Sequence, residues 1–403
     1  MGDLKIMSTT QVEEKDLPLS NIRVLDLSRV FAGPQCGMIL GDFGAEVIKI
    51  EHPVTGDDSR SLGIGIGITE SSYFNAFNRN KRSVTVDLQT FKGQEIIREL
   101  AKKSDVIIEN FKLGGLDKLG LGYKDIKAIK DDIIYCSISG YDRKNKEADR
   151  LGYDLVIQGE TGLMAVNGEP TQPPLKFGIT IVDIVTGMYS SQAILAALYE
   201  RQRTQKGRQI EMALFDCGLM ITSYCGLEAL INKEDPPRYS NAHSPVVPYG
   251  VFEASDGALV ITVGNNSQFS RFCSDVLDRQ DLADDLRFKT NRDRKIHREI
   301  LMPQIQQEVK KRKRQDLLNK LIEAGIPCGE VLGLSEALES NRVKNGGLIT
   351  EHRHPVAGLT QIFSPPYRFD GERMPVRLAP PVLGKDTHDV LSEILGTTYK
   401  QFI

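Results

Sequence analysis

One carboxylate stands where chemistry is easiest to build. Asp183 follows an apolar run (Phe177, Ile179, Ile181, Val182) and opens a helical pattern carried by Met188, Ile194, Leu195 and Leu198. An Asp at a helix start ordinarily serves as a cap. Here the small and aliphatic residues around it limit its solvation, and a helix N-terminus favours the anion. A desolvated carboxylate held charged is a better nucleophile than one in water. Nucleophilic attack by a carboxylate is the chemistry this arrangement would support. Tyr153 stands thirty positions earlier, followed by Asp154, in the segment Leu151-Gly-Tyr-Asp-Leu-Val-Ile-Gln-Gly-Glu-Thr-Gly.

The elements that must position these residues alternate. A buried strand over 22–28 breaks into Arg29-Val-Phe-Ala-Gly-Pro and a helix over 35–42. Pro34 suits the first turn of that helix, where its missing N–H would have no partner anyway. Further strands are expected at 47–51, 84–88, 105–109, 133–139 and 209–214. Between them come a helix capped by Thr90, another over 116–129, and the one opened by Asp183. Strand and helix in alternation predict an α/β fold with a mostly parallel sheet covered on both faces. Ligands bind such sheets beyond the carboxyl ends of the strands, where the loops 29–34, 87–89 and 110–112 would lie. The glycines at 63, 65 and 67 neither follow a strand nor open a helix cleanly. They read as a flexible loop near an active site or dimer contact, not as a phosphate cradle.

A long helical stretch over 215–232 leads to a different pattern. Residues 248–254 and 259–263 form a predicted hairpin around Ser255-Asp256-Gly257, followed by charged helices to about 324. The run Lys310-Lys-Arg-Lys-Arg reads as a solvated helix face. This is a smaller α+β domain, 235–335, after a large domain over 18–234 and a mobile tail over 1–17.

Composition narrows the function. Hydrophobic residues make up 40% and charged residues 26% of 403, ordinary for a soluble globular chain, and the net charge of −3 gives no reason to expect nucleic acid. The six cysteines are far apart and form no C-x-x-C, so neither a disulfide framework nor a metal site is signalled. No apolar run of membrane-spanning length stands out, and no membrane partner is expected. The first residues lack the apolar centre of a signal peptide, so the expected location is cytoplasmic, with a removed organellar leader left open.

The Asp183 segment and its Tyr153 half-motif together resemble the signature of the family III CoA-transferases, the group that includes formyl-CoA transferase. The likeness runs from residue 18 to about 395, through Asn345-Gly-Gly-Leu-Ile-Thr-Glu, His354-Pro355, Ser364-Pro-Pro-Tyr and Pro380-Pro-Val-Leu-Gly-Lys-Asp-Thr. It implies a large Rossmann-like domain, a return of residues 336–403 to that domain ending in a C-terminal helix, and an interlocked homodimer. It implies an enzyme with no tightly bound cofactor, whose substrates are an acyl-CoA and a small carboxylic acid. Asp183 would be the covalent nucleophile, passing through a mixed anhydride and an aspartyl-CoA thioester.

The resemblance also supplies contacts for coenzyme A. Phe31, Ala32, Tyr153 and Asp154 would lie at the thiol end. Asn110 and Phe111 would flank the pantetheine. Asp87, Leu88 and Gln89 would border the adenine, and His52 would face the nucleotide. Lys118 would meet a phosphate, as a point charge where the family has the fork of an Arg. The formyl-transferring members carry Gln at the position of Phe31, so a more apolar acyl pocket is expected here. Their Gly-rich lid has no counterpart as a run of glycines. Residues 243–250 and 264–269 resemble a small-domain edge covering the site, in wording closest to succinyl-CoA-dependent dicarboxylate transferases. A second carboxylate would want a cation, for which Arg29, Arg79 and Arg82 are candidates.

Three other readings compete. The 2-methylacyl-CoA racemases share the segment but need an acid and a base, with His where this chain has Tyr153. A non-catalytic CoA-binding scaffold would not need an intact Asp183 segment. A nicotinamide oxidoreductase would need a G-x-G-x-x-G between first strand and first helix, and none stands there.

Overall fold

The structure, a computed structural model, describes residues 17–243 and 245–396. The expected tail over 1–17 lies outside it apart from Leu17. Six strands build the main sheet: β1 (Arg23–Asp26), β2 (Glu46–Glu51), β3 (Lys81–Thr85), β4 (Val106–Glu109), β5 (Ile134–Ser139) and β6 (Arg208–Ala213). Their order is β3-β2-β1-β4-β5-β6, with every neighbouring pair parallel. The chain steps outward from β1 to β3, then returns beside β1 with β4 and steps out the other way. The reversal leaves a crevice between β1 and β4 at their carboxyl ends, the usual ligand position in such sheets.

Strands β1, β2, β4 and β5 are buried on both faces, so they read as nearly continuous apolar runs. Val24, Val106, Ile108, Ile134 and Cys136 point to one face. There they pack on Cys36 and Leu40 of helix α1 (Ala32–Asp42). Leu25, Ile48, Val84, Ile107 and Tyr135 point to the other, against Ile97 and Leu100 of helix α2 (Phe91–Lys102). Thr90 caps α2 as expected, its Oγ1 accepting from the Gly93 N–H at 3.0 Å. Two further helices carry the residues singled out above: α3 (Asp154–Glu160) and α4 (Ile181–Thr204). By length and composition α4 is apolar enough to cross a membrane, a run that the sequence reading did not single out. Its Val182, Ile194, Ala197 and Leu198 are buried in the sheet's core instead.

Some boundaries differ from expectation for identifiable reasons. Strand β3 begins at Lys81, not at 84, because three buried acceptors satisfy the Lys81 ammonium: Asp26 Oδ2 (2.9 Å), the Pro34 carbonyl (2.9 Å) and Asn78 Oδ1 (2.8 Å). The stretch 116–129 is a short 3-10 turn, Asp117–Leu119, and a helix, Tyr123–Ile129; Gly120 between them has φ +64°. The stretch 215–232 is likewise divided, into Leu214–Ile221 and Ser223–Asn232, at Ser223 with φ +52°.

The edge strand β3 is closed off from the far end of the chain. Ser83 N–H donates to Asp386 Oδ2 at 2.9 Å, and Thr85 N–H donates to Thr387 Oγ1 at 3.0 Å. Thr387 opens helix α5 (Thr387–Leu395), whose Val390, Leu391 and Leu395 join the core beside α2. Covering an edge this way removes a template for unwanted strand pairing.

Two compact units are present. The first comprises the described parts of Met1–Leu163, Lys176–Gly226 and Asn341–Ile403; the second comprises Met164–Leu175 and Leu227–Ser340. The second unit has an antiparallel sheet of β7 (Tyr249–Ala254), β8 (Gly257–Thr262) and β9 (Cys328–Glu330), in the order β9-β8-β7. Phe252, Leu259, Ile261, Phe272, Leu301, Ile305 and Leu317 fill its core. A division at 235 alone would leave 164–175 in the first unit. Arg238 ties that segment to the second, its guanidinium donating to the Gln172 carbonyl at 2.7 Å and to Pro170 at 3.3 Å.

Candidate active site

Two adjoining hollows open beyond the carboxyl ends of the parallel strands. The first, of ≈ 280 Å³, lies at the crevice between β1 and β4. Arg29, Phe31 and Ala32 line it from the loop after β1, Asn110 and Phe111 from the loop after β4, with Tyr153 and Asp183 across from them. The second, of ≈ 220 Å³, is bordered by His52 after β2 and by Asp87, Leu88 and Gln89 after β3. Arg29 and Phe111 line both.

Asp183 is the third residue of α4, behind Thr180, whose side chain makes no cap. It is half-buried and accepts no hydrogen bond from any other described residue. Burial and the neighbouring Asp154 carboxylate raise its pKa to about 7. The expectation of a carboxylate held fully charged is therefore corrected. A helix dipole contributes about 0.3–1 kcal/mol in favour of an anion. That is less than the ~1.4 kcal/mol of a single pKa unit. Desolvation and a like charge outweigh it.

Asp154 does not line either hollow. It is 8% exposed, and its two oxygens are engaged. Oδ1 accepts from the Val182 N–H at 2.8 Å, and Oδ2 accepts from Gln158 Nε2 at 2.6 Å. Gln158 Oε1 in turn accepts from the Phe177 N–H at 2.8 Å. Asp154 thus serves one orphan donor of the α4 first turn, the Val182 N–H, from the neighbouring helix. Sequence reading missed Gln158; its signal was its place four residues after Asp154, on the same helix face.

The remaining expected residues divide. Phe31 is buried against the rings of Phe77 (5.1 Å) and Tyr73 (5.5 Å), and Ala32 begins α1. The Asn110 side chain grips the Arg29 backbone, accepting from its N–H at 2.9 Å and donating to its carbonyl at 2.7 Å. The Arg29 guanidinium lies 5.3 Å from the Phe111 ring centre. His52 is exposed, and its Nδ1 accepts from the Val54 N–H at 3.2 Å. Tyr153 is exposed. Lys118 is exposed on the 3-10 turn and lines neither hollow.

Two of the cations considered for a second carboxylate are otherwise engaged. Arg79 is buried on Asp42, with Nε donating to Oδ1 at 2.9 Å, and Arg82 pairs with Glu46 and Glu393. Arg29 remains at the cleft, with Asp58 3.5 Å away.

Beneath the loop after β1 lies a group of buried charges that the sequence did not reveal. Lys49, in β2, is fully buried, 2.7 Å from Asp57 Oδ2, and donates to the Ser28 carbonyl at 3.0 Å. Burial alone would raise the Asp57 carboxyl, but Lys49 and the donors of Ser59 hold it at about 2. Above them Val30 has φ +72°. For a β-branched residue this is a genuine outlier. The left-handed conformation costs an L-residue about 1–2 kcal/mol.

The model of CoA-transferase family III matches residues 19–387. The succinyl-CoA:glutarate CoA-transferase of Mus musculus is 38% identical over 378 residues, 94% of this chain and 86% of its own length. The succinate–glutarate CoA-transferase of Agrobacterium fabrum is 39% identical over 346 residues, 84% of this chain and 86% of its own. A crystal structure of a CAIB/BAIF family protein from Brucella suis aligns with a TM-score of 0.83 at 38% identity, covering 94% of this chain and 99% of that one. So little of the chain falls outside these matches that it belongs to the family III CoA-transferases, enzymes that act on CoA thioesters.

Proposed function

We propose that this enzyme carries CoA from one carboxylic acid to another through covalent intermediates on Asp183. The observation that carries the reading is the state of that carboxylate. Two other acids line the first hollow: Asp58, which is paired with Arg29, and Asp149, which is exposed. Asp183 combines shelter from water with oxygens that no described residue occupies, as a nucleophile requires.

The steps balance without a net proton. The Asp183 carboxylate attacks the donor thioester carbonyl and expels CoA thiolate, giving a mixed anhydride. The thiolate attacks the aspartyl carbonyl, releasing the donor acid and leaving an aspartyl-CoA thioester. The acceptor carboxylate attacks that thioester and again frees the thiolate, which takes the acceptor's acyl carbonyl and restores Asp183. Shelter at the cleft keeps the anhydride from hydrolysis. The hollow beside His52 and 87–89 would take the nucleotide, and Asn110 and Phe111 would flank the pantetheine between it and Phe31, Ala32 and Tyr153.

Succinyl-CoA or a similar short acyl-CoA is the proposed donor, and a short dicarboxylate such as glutarate the acceptor, after the names of the two relatives above. Arg29 is the proposed cation for the second carboxylate. The racemase alternative is not favoured, because these relatives are CoA-transferases and Tyr153 offers a phenol where an imidazole is needed.

An exchange screen tests the reading: succinyl-, acetyl-, formyl- and oxalyl-CoA against a panel of mono- and dicarboxylic acids. Succinyl-CoA with a dicarboxylate should turn over fastest. Asp183→Ala should lower kcat by about 10³-fold or more, as loss of a covalent nucleophile does. Arg29→Met should raise KM for dicarboxylates more than for monocarboxylates. Native turnover by Asp183→Ala would end the proposal.

A further inference from the structure

The loop from Ser28 to Ala32 carries two walls of the cleft, and its backbone is held from below by buried charges. Asp26 Oδ1 accepts from the Ser28 N–H at 3.0 Å. The Ser28 carbonyl accepts from Lys49, and the Val30 N–H donates to Asp57 Oδ1 at 3.1 Å. Lys81 joins Asp26 to the Pro34 carbonyl, just inside α1. Asp26 is the last residue of β1, Lys49 lies inside β2, Lys81 is the first residue of β3 and Asp57 comes from the turn after β2, and each is at most 1% exposed.

Buried ion pairs contribute little stability compared with apolar side chains of similar size. Their placement points to another task. Val30 adopts its left-handed φ where Asp57 grips its N–H, and that turn aims Phe31 and Ala32 at the hollow. The position of Ala32 reaches α4 directly. A Cβ added at Gly187, one turn beyond Asp183, would meet the Ala32 carbonyl oxygen at 2.7 Å. The loop and the helix bearing Asp183 therefore touch with no room to spare.

We infer that Asp57 and Lys49, backed by the Asp26–Lys81 pair, are positioning residues that hold Val30 in its left-handed turn and so fix Phe31 and Ala32 on the cleft wall shared with Asp183. This rests on the reading of that cleft as the site of acyl exchange. Asp57 also borders the second hollow, but its carboxylate is taken up by Lys49, Ser59 and the Val30 N–H, so the four charges act through the loop.

A double-mutant cycle tests the inference. Asp57→Asn is nearly isosteric but has a single acceptor oxygen, which cannot serve both Lys49 and the Val30 N–H as the two carboxylate oxygens do, and Lys49→Met removes the opposite charge. Each folded variant should lose about tenfold or more in kcat, with KM for the acyl-CoA within about threefold. Glycine takes the left-handed turn freely. In a Val30→Gly background the loss caused by Asp57→Asn should therefore shrink by at least about threefold. A purely structural role for Asp57 would leave that loss the same in both backgrounds. Should Lys49→Met fail to fold, the Asp57→Asn cycle decides alone. An unchanged kcat for folded Asp57→Asn, or an equal loss with and without Val30→Gly, overturns the inference. Asp183→Ala run in parallel separates the two failures. If it is inactive while the cycle is flat, only the positioning role falls; if it is active, the assignment of the cleft falls.

Discussion

At the scale of single residues, the carboxyl of Asp183 is tuned against its own ionisation. Burial and Asp154 raise it to about 7, so a large fraction is protonated near neutral pH. Only the anion attacks a thioester. Below about pH 7, kcat/KM should fall roughly tenfold per pH unit and level off above it. Asp154→Asn removes the like charge while its Oδ1 can still accept from Val182 N–H. Desolvation remains, so the apparent pKa should move down from about 7 without reaching the usual carboxylate range. A pH profile of kcat/KM for both proteins checks this. An unmoved midpoint would show that Asp154 acts through geometry alone. The Asp183 segment itself was legible, because its apolar approach and helical continuation are local. The pairing of Asp154 with Val182, 28 positions on, was not, since nothing local encodes it.

At the scale of elements, strands carry more charge than their apolar runs suggest. Lys49 sits in the middle of Val47-Ile-Lys-Ile, inside an expected strand, and it is fully buried on Asp57 and Ser28. A charged residue inside a strand covered on both faces was the available signal, since such residues are almost never buried unless paired. Closure of the β3 edge belongs to the same scale. Asp386→Ala would leave the part-buried Ser83 N–H without its acceptor, which costs about 1–3 kcal/mol. The urea midpoint should drop accordingly, while kcat stays native, because Asp386 is absent from both hollows. An unchanged midpoint would mean that the edge is held by Thr387 and the α5 core contacts instead.

At the scale of the whole molecule, the homodimer is a proposal with a physical motive. Leu155, Val156, Phe177, Ile179 and Met188 of the first unit are exposed around the start of α3 and α4, and apolar residues grouped in this way suit a protein–protein contact. The mass in solution should be twice the 44.8 kDa of one chain. If the two chains interlock, tagged and untagged dimers mixed under native conditions should not exchange subunits, and should do so only after unfolding. Rapid native exchange would rule out interlocking, and a monomer in solution would rule out the dimer.

The sequence by itself determined the alternation of strand and helix, the loops that gather at the carboxyl ends of the strands, and the segment around Asp183 on which the proposed reaction rests. The first two depend on periodicity and neighbours within a few residues, and the third also on the resemblance of its motifs to a known family. Tertiary structure alone decided which charges are buried, that Arg79 and Arg82 serve Asp42, Glu46 and Glu393 and not a substrate, and that Asp57 reaches back 27 positions to grip Val30. The reason is that parallel strands bring together residues separated by a whole crossover. A charge in the sequence shows what a side chain can do, but its partner is chosen only when the sheet assembles.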